Sequence, residues 1–238
     1  MRLDRYLTAS SILTRSQAAK AIRNGRVSVN GMIERKPERR IEEESDRISL
    51  DGTVCGFERY VYYLLDKPKG LITASRDRTQ ETVLDLFPQD IQKKGIFPVG
   101  RLDKDTSGLL LLTNDGDFAH RVISPKSRID KCYLATVDGI LTQEDQKRFQ
   151  SGICLADGTQ CLPARLEILG ERDGLITVQE GKYHQVRRMM AAIGKPVLSL
   201  RRLSIGGLYL PEDSNEGDWR QLSDDDLCIL FNSVSRGK

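Results

Sequence analysis

The stretch GRLDKDTSGLLLLT, residues 100–113, places charged and turn-forming residues directly before four consecutive leucines. The leucine run predicts a buried strand over 109–113. Carboxylates such as those of Asp103 and Asp105 are rarely buried unless they are paired. The stretch is therefore either a solvated turn ahead of a buried strand or a loop that holds an aspartate in a cleft for chemistry.

The segments on either side of this stretch predict more strands than helices. Strands are predicted at 60–65, 131–137, 175–179 and 197–200, and helices at 118–123, 143–150 and 185–193. A C-terminal helix is predicted from Ser223, with Asp226 three residues later, to about 233. Because strands and helices do not alternate regularly, the pattern favours an α+β fold with a mixed, mostly antiparallel sheet over a doubly wound fold.

The N-terminal segment predicts two short helices followed by small strands. Apolar residues recur at helical spacing over 3–10, and Thr14 forms a capping box for a second helix with Gln17, three residues later. Asn30-Gly31 is typical of a type I′ hairpin turn, because both residues tolerate positive φ. Short strands are predicted at 27–29, 32–33 and 47–50.

Positive charge is concentrated near the N-terminus. Residues 1–40 contain ten Lys and Arg against three Asp and Glu, a net +7, whereas the remaining 198 residues carry a net −4. Such asymmetry indicates a basic module that binds a polyanion, attached to a larger and nearly neutral body. Four basic residues on or beside the second predicted helix are candidates for contact with RNA phosphates: Arg15, Lys20, Arg23 and Arg26. A solvated basic face without a ligand is the alternative interpretation.

The boundary between the two modules is predicted from composition. An acidic run at 42–44 is followed by a polar stretch that reaches residue 59. We therefore expect an N-terminal domain over 1–58 and a larger domain over 59–238.

The composition argues against several classes of protein. The apolar fraction of 39% fits a folded protein, and no apolar run approaches the roughly 20 residues that span a bilayer. The segment MRLDRYLTAS contains no apolar signal sequence, so a cytoplasmic protein that does not bind membranes is expected. The five cysteines form no CxxC pair and the chain has only two histidines, which argues against a metal site.

Three segments combine polar groups with a rigid scaffold. The first is the stretch quoted above; the second is 130–134, where Tyr133 lies on a predicted strand; the third is 180–194, a strand exit that leads into a helix. The spacing of these segments allows a carboxylate, a phenol and an arginine to converge in one cleft, but does not require it.

The motifs of the chain resemble those of a known family. The runs RLDRYL and TRSQAAKAIRNGRVSVNG resemble an S4 RNA-binding domain, and GRLDKDTSGLLLLTNDG closely resembles the central motif of the RsuA class of pseudouridine synthases. The later runs KCYLATV, EGKYHQVRRM and LRRLSIGGLYL are similar to the remaining motifs of that family, in the same order. The resemblance covers nearly the whole chain, and the central motif is long and highly specific.

The resemblance implies both a fold and a reaction. It implies a small N-terminal S4-like RNA-binding domain and a larger, mostly antiparallel mixed-sheet catalytic domain. A uridine in 16S ribosomal RNA would be detached at its N1 glycosidic bond, turned and rejoined through C5, without a cofactor or metal. The expected partner is 16S rRNA or the assembling small ribosomal subunit, bound by a monomer. A non-catalytic S4 RNA-binding or ribosome-assembly protein is the alternative.

The same resemblance assigns the catalytic residues. Asp103 matches the essential aspartate, which attacks either C1′ of the ribose or C6 of the base. Arg187 matches a basic position and is expected to act electrostatically, since arginine stays protonated and can grip a carboxylate bidentately. Tyr133 matches the active-site tyrosine, which stacks against the base and helps to remove the C5 proton. From the residues alone, a half-buried strand tyrosine is the simpler interpretation of Tyr133.

Further residues near these motifs have lesser expected roles. Arg101 matches an arginine expected to contact RNA near the vacated base position. Arg188 lies about 100° around the predicted helix from its neighbour Arg187, and is expected to contact RNA instead. Asp105 either shapes the turn or acts with the essential aspartate as a glycosidase-like pair. His184 is expected only to hold its loop.

Two other expectations concern the surroundings of the site. The turn at 66–70 resembles the family pattern NKPxG, with Asp66 in place of the usual asparagine, a departure that is expected to affect turn geometry more than chemistry. Leu200 and Ile205 are expected to pack beneath the site, where apolar walls exclude water and strengthen electrostatic attraction.

Overall fold

The structure, a computed structural model, describes residues 1–10, 13–43, 45–56 and 60–231. Its internal contacts divide the chain into two units, Met1–Tyr60 and Val61–Lys238. The predicted boundary between residues 58 and 59 lies outside the described residues and stays a prediction.

Two helices and a small sheet form the first unit. The elements are α1 (Leu3–Ser10), α2 (Arg15–Arg23), β1 (Val27–Val29), β2 (Met32–Glu34), β3 (Ile48–Leu50) and β4 (Thr53–Val54). The strands are antiparallel in the order β2-β1-β3-β4. The predicted capping box is present, because the backbone N–H of Gln17 donates to Thr14 and the Gln17 side chain accepts from the Thr14 backbone. Asn30 and Gly31 have φ of 53° and 80°, as the predicted type I′ turn requires.

A nine-stranded mixed sheet with helices forms the second unit. Its strands are β5 (Tyr62–Lys67), β6 (Phe97–Pro98), β7 (Ser107–Thr113), β8 (Lys131–Val137), β9 (Arg165–Ile168), β10 (Asp173–Val178), β11 (Val197–Ile205), β12 (Leu208–Tyr209) and β13 (Trp219–Gln221). Its α-helices are α3 (Gln89–Gln92), α4 (Gly116–Ile123), α5 (Gln143–Ser151), α6 (Gln185–Ala192) and α7 (Asp224–Phe231), and 3₁₀ helices lie at Val83–Leu86 and Pro125–Ser127. The main strand order is β13-β5-β7-β11-β8-β10-β9. Only the β7–β11 pairing is parallel among the described strands, which confirms the predicted α+β class.

The leucine run forms the centre of this sheet as β7. All seven residues of β7 are buried, between β5 on one side and β11 on the other. Leu109 and Leu111 pack against α4, whereas Leu110 and Leu112 point to the opposite face and pack against the first 3₁₀ helix. Burial of each such side chain contributes about 1.5–3 kcal/mol. The predicted buried strand is therefore present, while a chemical role for an aspartate of the loop before it stays a prediction.

Gly108 marks the close approach of β7 to β11. Its φ is 104°, and a Cβ at this position would lie 2.2 Å from the carbonyl oxygen of Arg202. Only glycine fits here, since any side chain would collide with the backbone of the neighbouring strand.

Several element bounds differ from the predicted ones. The strand predicted at 60–65 runs from Tyr62 to Lys67, and the strand predicted to end at 200 continues to Ile205. The continuation contains two arginines, Arg201 and Arg202, and pairs with β7 and β8. The strands β9 and β13 were not predicted, because each is short and carries charged or polar residues. The C-terminal helix is described to Phe231, and its predicted end near 233 lies outside the described residues.

Candidate active site

A cleft of about 140 Å³ opens in the second unit. It lies where the loop before β7, the first half of β8, the N-terminal end of α6 and the middle of β11 meet. Asp103, Tyr133 and Arg187 all line it, together with Arg101. The structure thus brings the three candidate segments of the sequence together.

Asp103 lies between two basic side chains at this cleft. One carboxylate oxygen, Oδ1, is 3.2 Å from Nε2 of His184, and the other, Oδ2, is 3.8 Å from Nε of Arg187. The side chain is 28% exposed, so it is partly withdrawn from water while still open to a ligand. The carbonyl of Asp103 accepts from the backbone N–H of Thr106 at 3.1 Å, which closes the loop into a turn.

Arg187 contacts two aspartates rather than one. Its Nη2 is 3.0 Å from Oδ2 of Asp105, closer than any of its atoms comes to Asp103. The same Nη2 donates at 3.4 Å to the Asp105 carbonyl and to Oγ1 of Thr106. The bidentate grip of which arginine is capable is therefore not made on Asp103, because the forked end of the guanidinium is occupied by Asp105 and only Nε faces the central carboxylate.

The environment of Asp105 argues against the second of its two predicted roles, that of a glycosidase-like acid. Its side chain is 69% exposed and is paired with the Arg187 guanidinium. A general acid of the glycosidase kind depends on a desolvated environment that keeps its proton. The exposure and the ion pair of Asp105 do not provide one, so the structure favours a role in the turn.

His184 has a closer relation to the site than the sequence suggested. It is the residue that precedes α6, and its backbone is in the left-handed region, with φ 48°. Its ring stacks on that of Tyr183, with centroids 3.8 Å apart. The loop is tied by Glu180, which accepts from Nε2 of Gln185 at 2.8 Å. Sequence reasoning assigned His184 only to its loop, whereas the structure places its Nε2 against the Asp103 carboxylate.

Tyr133 forms part of the cleft wall on β8. Its hydroxyl accepts a hydrogen bond from Nη1 of Arg202 at 3.4 Å, and the Arg202 guanidinium lies 5.9 Å from the centre of its ring. Leu200 and Ile205 are buried and line the same cleft, as was expected of them. The cleft therefore has one aromatic and several apolar walls around the Asp103 carboxylate.

Comparison with known proteins identifies the family. The family model for RNA pseudouridylate synthase matches residues 61–192, and the model for the S4 domain matches residues 1–48. The chain belongs to the RNA pseudouridylate synthase family. It is an isomerase of that family with an N-terminal S4 domain, as the sequence motifs predicted.

Similar proteins match the synthase over nearly their whole length. Ribosomal small subunit pseudouridine synthase A of Haemophilus influenzae is 37% identical over 228 residues, which cover 95% of this chain and 98% of that protein. The uncharacterized RNA pseudouridine synthase YtzG of Bacillus subtilis is 34% identical over 234 residues, covering 97% of this chain and 98% of that protein. A crystal structure of a pseudouridylate synthase matches with a TM-score of 0.69 and 37% identity, over 97% of this chain and 99% of that one.

A buried lysine anchors the loop that carries Asp103. Lys67, which the sequence placed in a turn, is the last residue of β5 and is fully buried. Its Nζ donates to the carbonyls of Pro68 at 2.9 Å, Thr106 at 3.0 Å and Lys104 at 3.4 Å. Burial lowers the pKa of Lys67 to about 8, while the carboxylates of Glu216, Asp103 and Asp105 oppose that shift. Lys67 thus ties the loop that carries Asp103 to the end of a central strand.

Asp66, which stands where the family pattern has an asparagine, is paired with an arginine. Asp66 is fully buried, and its Oδ2 accepts from Nη2 of Arg201 on β11. Arg201 also lies 3.5 Å from Glu216. An aspartate is tolerated where the family usually has a neutral amide because this arginine compensates its charge.

The predicted RNA contacts stay predictions, but their surroundings are visible. Arg15, Lys20, Arg23 and Arg26 are all exposed on the first unit. Arg26 donates twice to Asp51, and Nε of Arg15 lies 3.7 Å from Asp4. Two of the four charges are therefore partly neutralised within the unit.

Arg188 points away from Asp103, as its helical position predicted. Its Nη2 donates to the carboxylate of Asp157, and its Nη1 donates to the Tyr183 carbonyl at 3.4 Å. Arg188 is thus held at the surface next to the cleft, where its contact with RNA stays a prediction.

Sequence reasoning missed three cations near the cleft: Lys67, Lys131 and Arg202. A usable signal existed for Lys131, because it is two residues before Tyr133 on a strand and therefore faces the same side. The arginine pair inside the apolar run of β11 was a second signal, since a charge within a buried strand needs an explanation.

Neither a cluster of metal ligands nor a membrane-spanning helix is present among the residues that the structure describes. Among them, no group of three or more His, Cys, Asp or Glu is arranged to hold a metal ion. In the same residues, no helix combines the length and the apolar character needed to cross a membrane.

Proposed function

We propose that the synthase isomerises one specific uridine of 16S ribosomal RNA to pseudouridine, through Asp103 and without a cofactor. The observation that carries the proposal is the position of Asp103 at a cleft, between Arg187 and His184 and beside Tyr133. The choice of RNA rests on similar proteins named ribosomal small subunit pseudouridine synthase A, such as those of Haemophilus influenzae and Escherichia coli.

The reaction moves bonds within one nucleotide. The N1–C1′ bond breaks and its electron pair leaves with the base, the base turns, and C5 bonds to C1′. C5 loses a proton and N1 gains one, so no atom is added or removed overall. Asp103 attacks either C1′ or C6 during this sequence, and on both routes its carboxylate must be ionised.

A fixed positive charge lies beside the Asp103 carboxylate in a partly dry site. The Arg187 guanidinium keeps its charge at all physiological pH values, and it stands 3.8 Å from Oδ2. A positive charge at this distance attracts the carboxylate, and the attraction is stronger in a partly dry site than in water. Arg187 therefore acts electrostatically and need not exchange a proton.

Tyr133 is proposed to stack against the base and to help to remove the proton from C5 after the base has rejoined the ribose. Its phenol lies on the cleft wall, within reach of a base that enters the cleft. The target base must first leave its stack in the RNA, which costs a few kcal/mol. Arg101 is proposed to contact the RNA near the position that the base leaves.

The S4 domain is proposed to anchor the RNA through its exposed basic residues. Contacts of this kind with phosphates supply affinity and positioning rather than sequence choice. Arg188 is proposed to add a contact beside the cleft. We propose further that the synthase works as a monomer in the cytoplasm, on 16S rRNA or on the assembling small subunit.

A modification map tests the proposal directly. Unmodified 16S rRNA transcript and assembling small subunits are incubated with the protein, and pseudouridine is mapped by carbodiimide-blocked primer extension. We expect one new stop with the wild-type protein and none with Asp103→Asn, which keeps the shape of the side chain but not its charge. RNA binding without a stop in either substrate would contradict the proposal and would support a non-catalytic S4 RNA-binding or assembly protein.

A further inference from the structure

Two buried cations lie in the wall of the cleft, and neither forms a salt bridge with a carboxylate among the described residues. Lys131 on β8 is 8% exposed and Arg202 on β11 is 3% exposed, and both line the cleft. Their hydrogen bonds within the described part of the chain go to backbone carbonyls and to a phenol. Buried charges in proteins are ordinarily paired, so this side of the cleft lacks an ion-pair partner for either cation.

Arg202 is held so that one of its nitrogens stays free. Its Nε donates to the Leu109 carbonyl at 2.7 Å, and its Nη1 donates to the Tyr133 hydroxyl at 3.4 Å. Its Nη2 is buried and has no hydrogen-bond partner among the described residues. An orphaned donor of this kind costs stability, which is a reason to look for a ligand atom that satisfies it.

Lys131 adds to the positive potential at the same place. Its Nζ donates to the Ile129 carbonyl at 3.0 Å. The pKa of Lys131 is lowered to about 8, mainly by burial and also by the nearby charge of Arg202, while Asp130 opposes both effects. The two cations repel each other, so a group that accepts hydrogen bonds or carries negative charge would be favoured beside them.

The uracil base offers such a group. A guanidinium only donates, so it pairs with carbonyl oxygens such as O2 and O4 of uracil and not with an amino group. When the N1–C1′ bond breaks, the electron pair stays on N1 and its charge spreads over these oxygens. Donors fixed in advance toward a position where charge develops are effective in catalysis.

We infer that Arg202 is a further catalytic residue, which donates through Nη2 to a carbonyl oxygen of the target uracil and stabilises the detached base as an anion. The inference rests on the proposed function, because it takes the base of the target uridine to occupy this cleft. Arg202 gives up no proton in this role. The charge it stabilises disappears when C5 has bonded to C1′ and N1 has been protonated.

The first experiment measures the rate of the variant Arg202→Gln. Single-turnover formation of pseudouridine is followed at saturating protein on a 16S fragment that the wild-type protein modifies. We expect a fall of about 10²–10³-fold, as for the loss of one oxyanion donor, with RNA affinity nearly unchanged. Arg165→Gln, which removes an exposed arginine of β9 that is paired with Glu167, is the matched control and should keep the wild-type rate. A wild-type rate in Arg202→Gln would overturn the inference.

A cycle with altered substrates separates contact with the base from support of the fold. The target uridine is replaced by 2-thiouridine or by 4-thiouridine, whose sulfur accepts hydrogen bonds more weakly than oxygen. We expect one of these replacements to slow the wild-type protein and to have a much smaller effect on Arg202→Gln. Equal effects on both proteins for both replacements would overturn the inference and leave Arg202 a structural role.

A second variant and a control substrate complete the experiment. Circular dichroism shows whether Arg202→Gln folds. If it does not, the same substrate comparison is made with Arg202→Lys, because lysine keeps the positive charge but lacks the two terminal nitrogens of the guanidinium. Activity of the wild-type protein on unmodified uridine is measured in every series. If the wild-type protein does not modify unmodified uridine, the proposed function is contradicted. If it does, but each sulfur substitution slows the wild-type protein and the Arg202 variant by the same factor, only the role of Arg202 is contradicted.

Discussion

Charged residues are used differently in the two units of the synthase. The basic residues of Met1–Tyr60 that are candidates for RNA contact are all exposed, and two of them share their charge with aspartates of the same unit. In Val61–Lys238 several charges at the cleft are withdrawn from water: Lys131 and Arg202 are buried, and Asp103 and Arg187 are only 28% and 21% exposed. Exposed charges interact weakly and are screened by salt, whereas a buried charge requires its partner. The first unit should therefore tolerate the loss of one charge better than the second.

The largest expected effect is that of Arg187→Ala. It leaves the Asp103 carboxylate without its guanidinium, and we expect the single-turnover rate to fall by about 10²–10³-fold. Arg188→Ala is the matched control on the same helix, because its side chain bonds to Asp157 instead. Single-turnover assays on the same RNA compare the two. Equal losses in both variants would mean that position on α6, rather than contact with Asp103, sets the rate.

The next effect concerns stability. Lys67→Met removes the donor to three backbone carbonyls, and we expect the free energy of unfolding to fall by about 2–4 kcal/mol. Lys69→Met, at an exposed lysine two residues away, should change it by less than about 0.5 kcal/mol. Urea denaturation of both variants measures the difference. Similar stabilities would show that the buried ammonium is not required to hold the loop.

A smaller effect depends on pH. Burial lowers the pKa of Lys131 from 10.5 to about 8. Between these values the unfolded chain binds more protons than the folded protein, so this lysine makes the free energy of unfolding rise with pH. Lys131→Met should remove that contribution.

We therefore compare the free energy of unfolding of Lys131→Met with that of the wild-type protein. The gain of the variant over the wild-type protein should be about 1–3 kcal/mol larger at pH 7 than near pH 10. Urea denaturation across this range measures the gain. The slope from Lys67 has the same sign but is present in both proteins, so it cancels. A gain that is constant across the range would show that Lys131 titrates normally.

The smallest effect is expected on the first unit. The double change Lys20→Gln and Arg23→Gln should weaken RNA binding without altering the single-turnover rate at saturation. If both side chains contact phosphates, the slope of log affinity against log salt should fall by about 1.4–1.8. Filter binding at several salt concentrations measures it, with Lys93→Gln and Lys94→Gln on the second unit as the control. An unchanged slope would support the solvated basic face.

The fold was predictable where local signals agree. The capping box at Thr14, the turn at Asn30-Gly31 and the buried strand of leucines each depend on neighbouring residues, and all three are present. The strand β13 was not predictable, because a run of three residues gains its order from pairing with β5 rather than from its own pattern.

The site was predictable only as far as the motifs reach. The resemblance selected Asp103, Tyr133 and Arg187, and the structure places them in one cleft, although their catalytic roles stay predictions. It could not show that the fork of Arg187 turns toward Asp105, since that depends on the shape of the turn. Nor could it find Arg202, whose role depends on which of its nitrogens the surrounding backbone leaves free.

The close packing at Gly108 has a consequence for libraries of variants scored by activity. Alanine at this position would push β11 away from β7 where the backbone of Arg202 lies, although residue 108 has no side chain to meet a substrate. In such a screen the position would rank with the most sensitive in the protein. The sensitivity of residue 108 would reflect the spacing of β7 and β11. If every position that loses activity on substitution were taken as a catalytic residue, Gly108 would be assigned to the reaction wrongly.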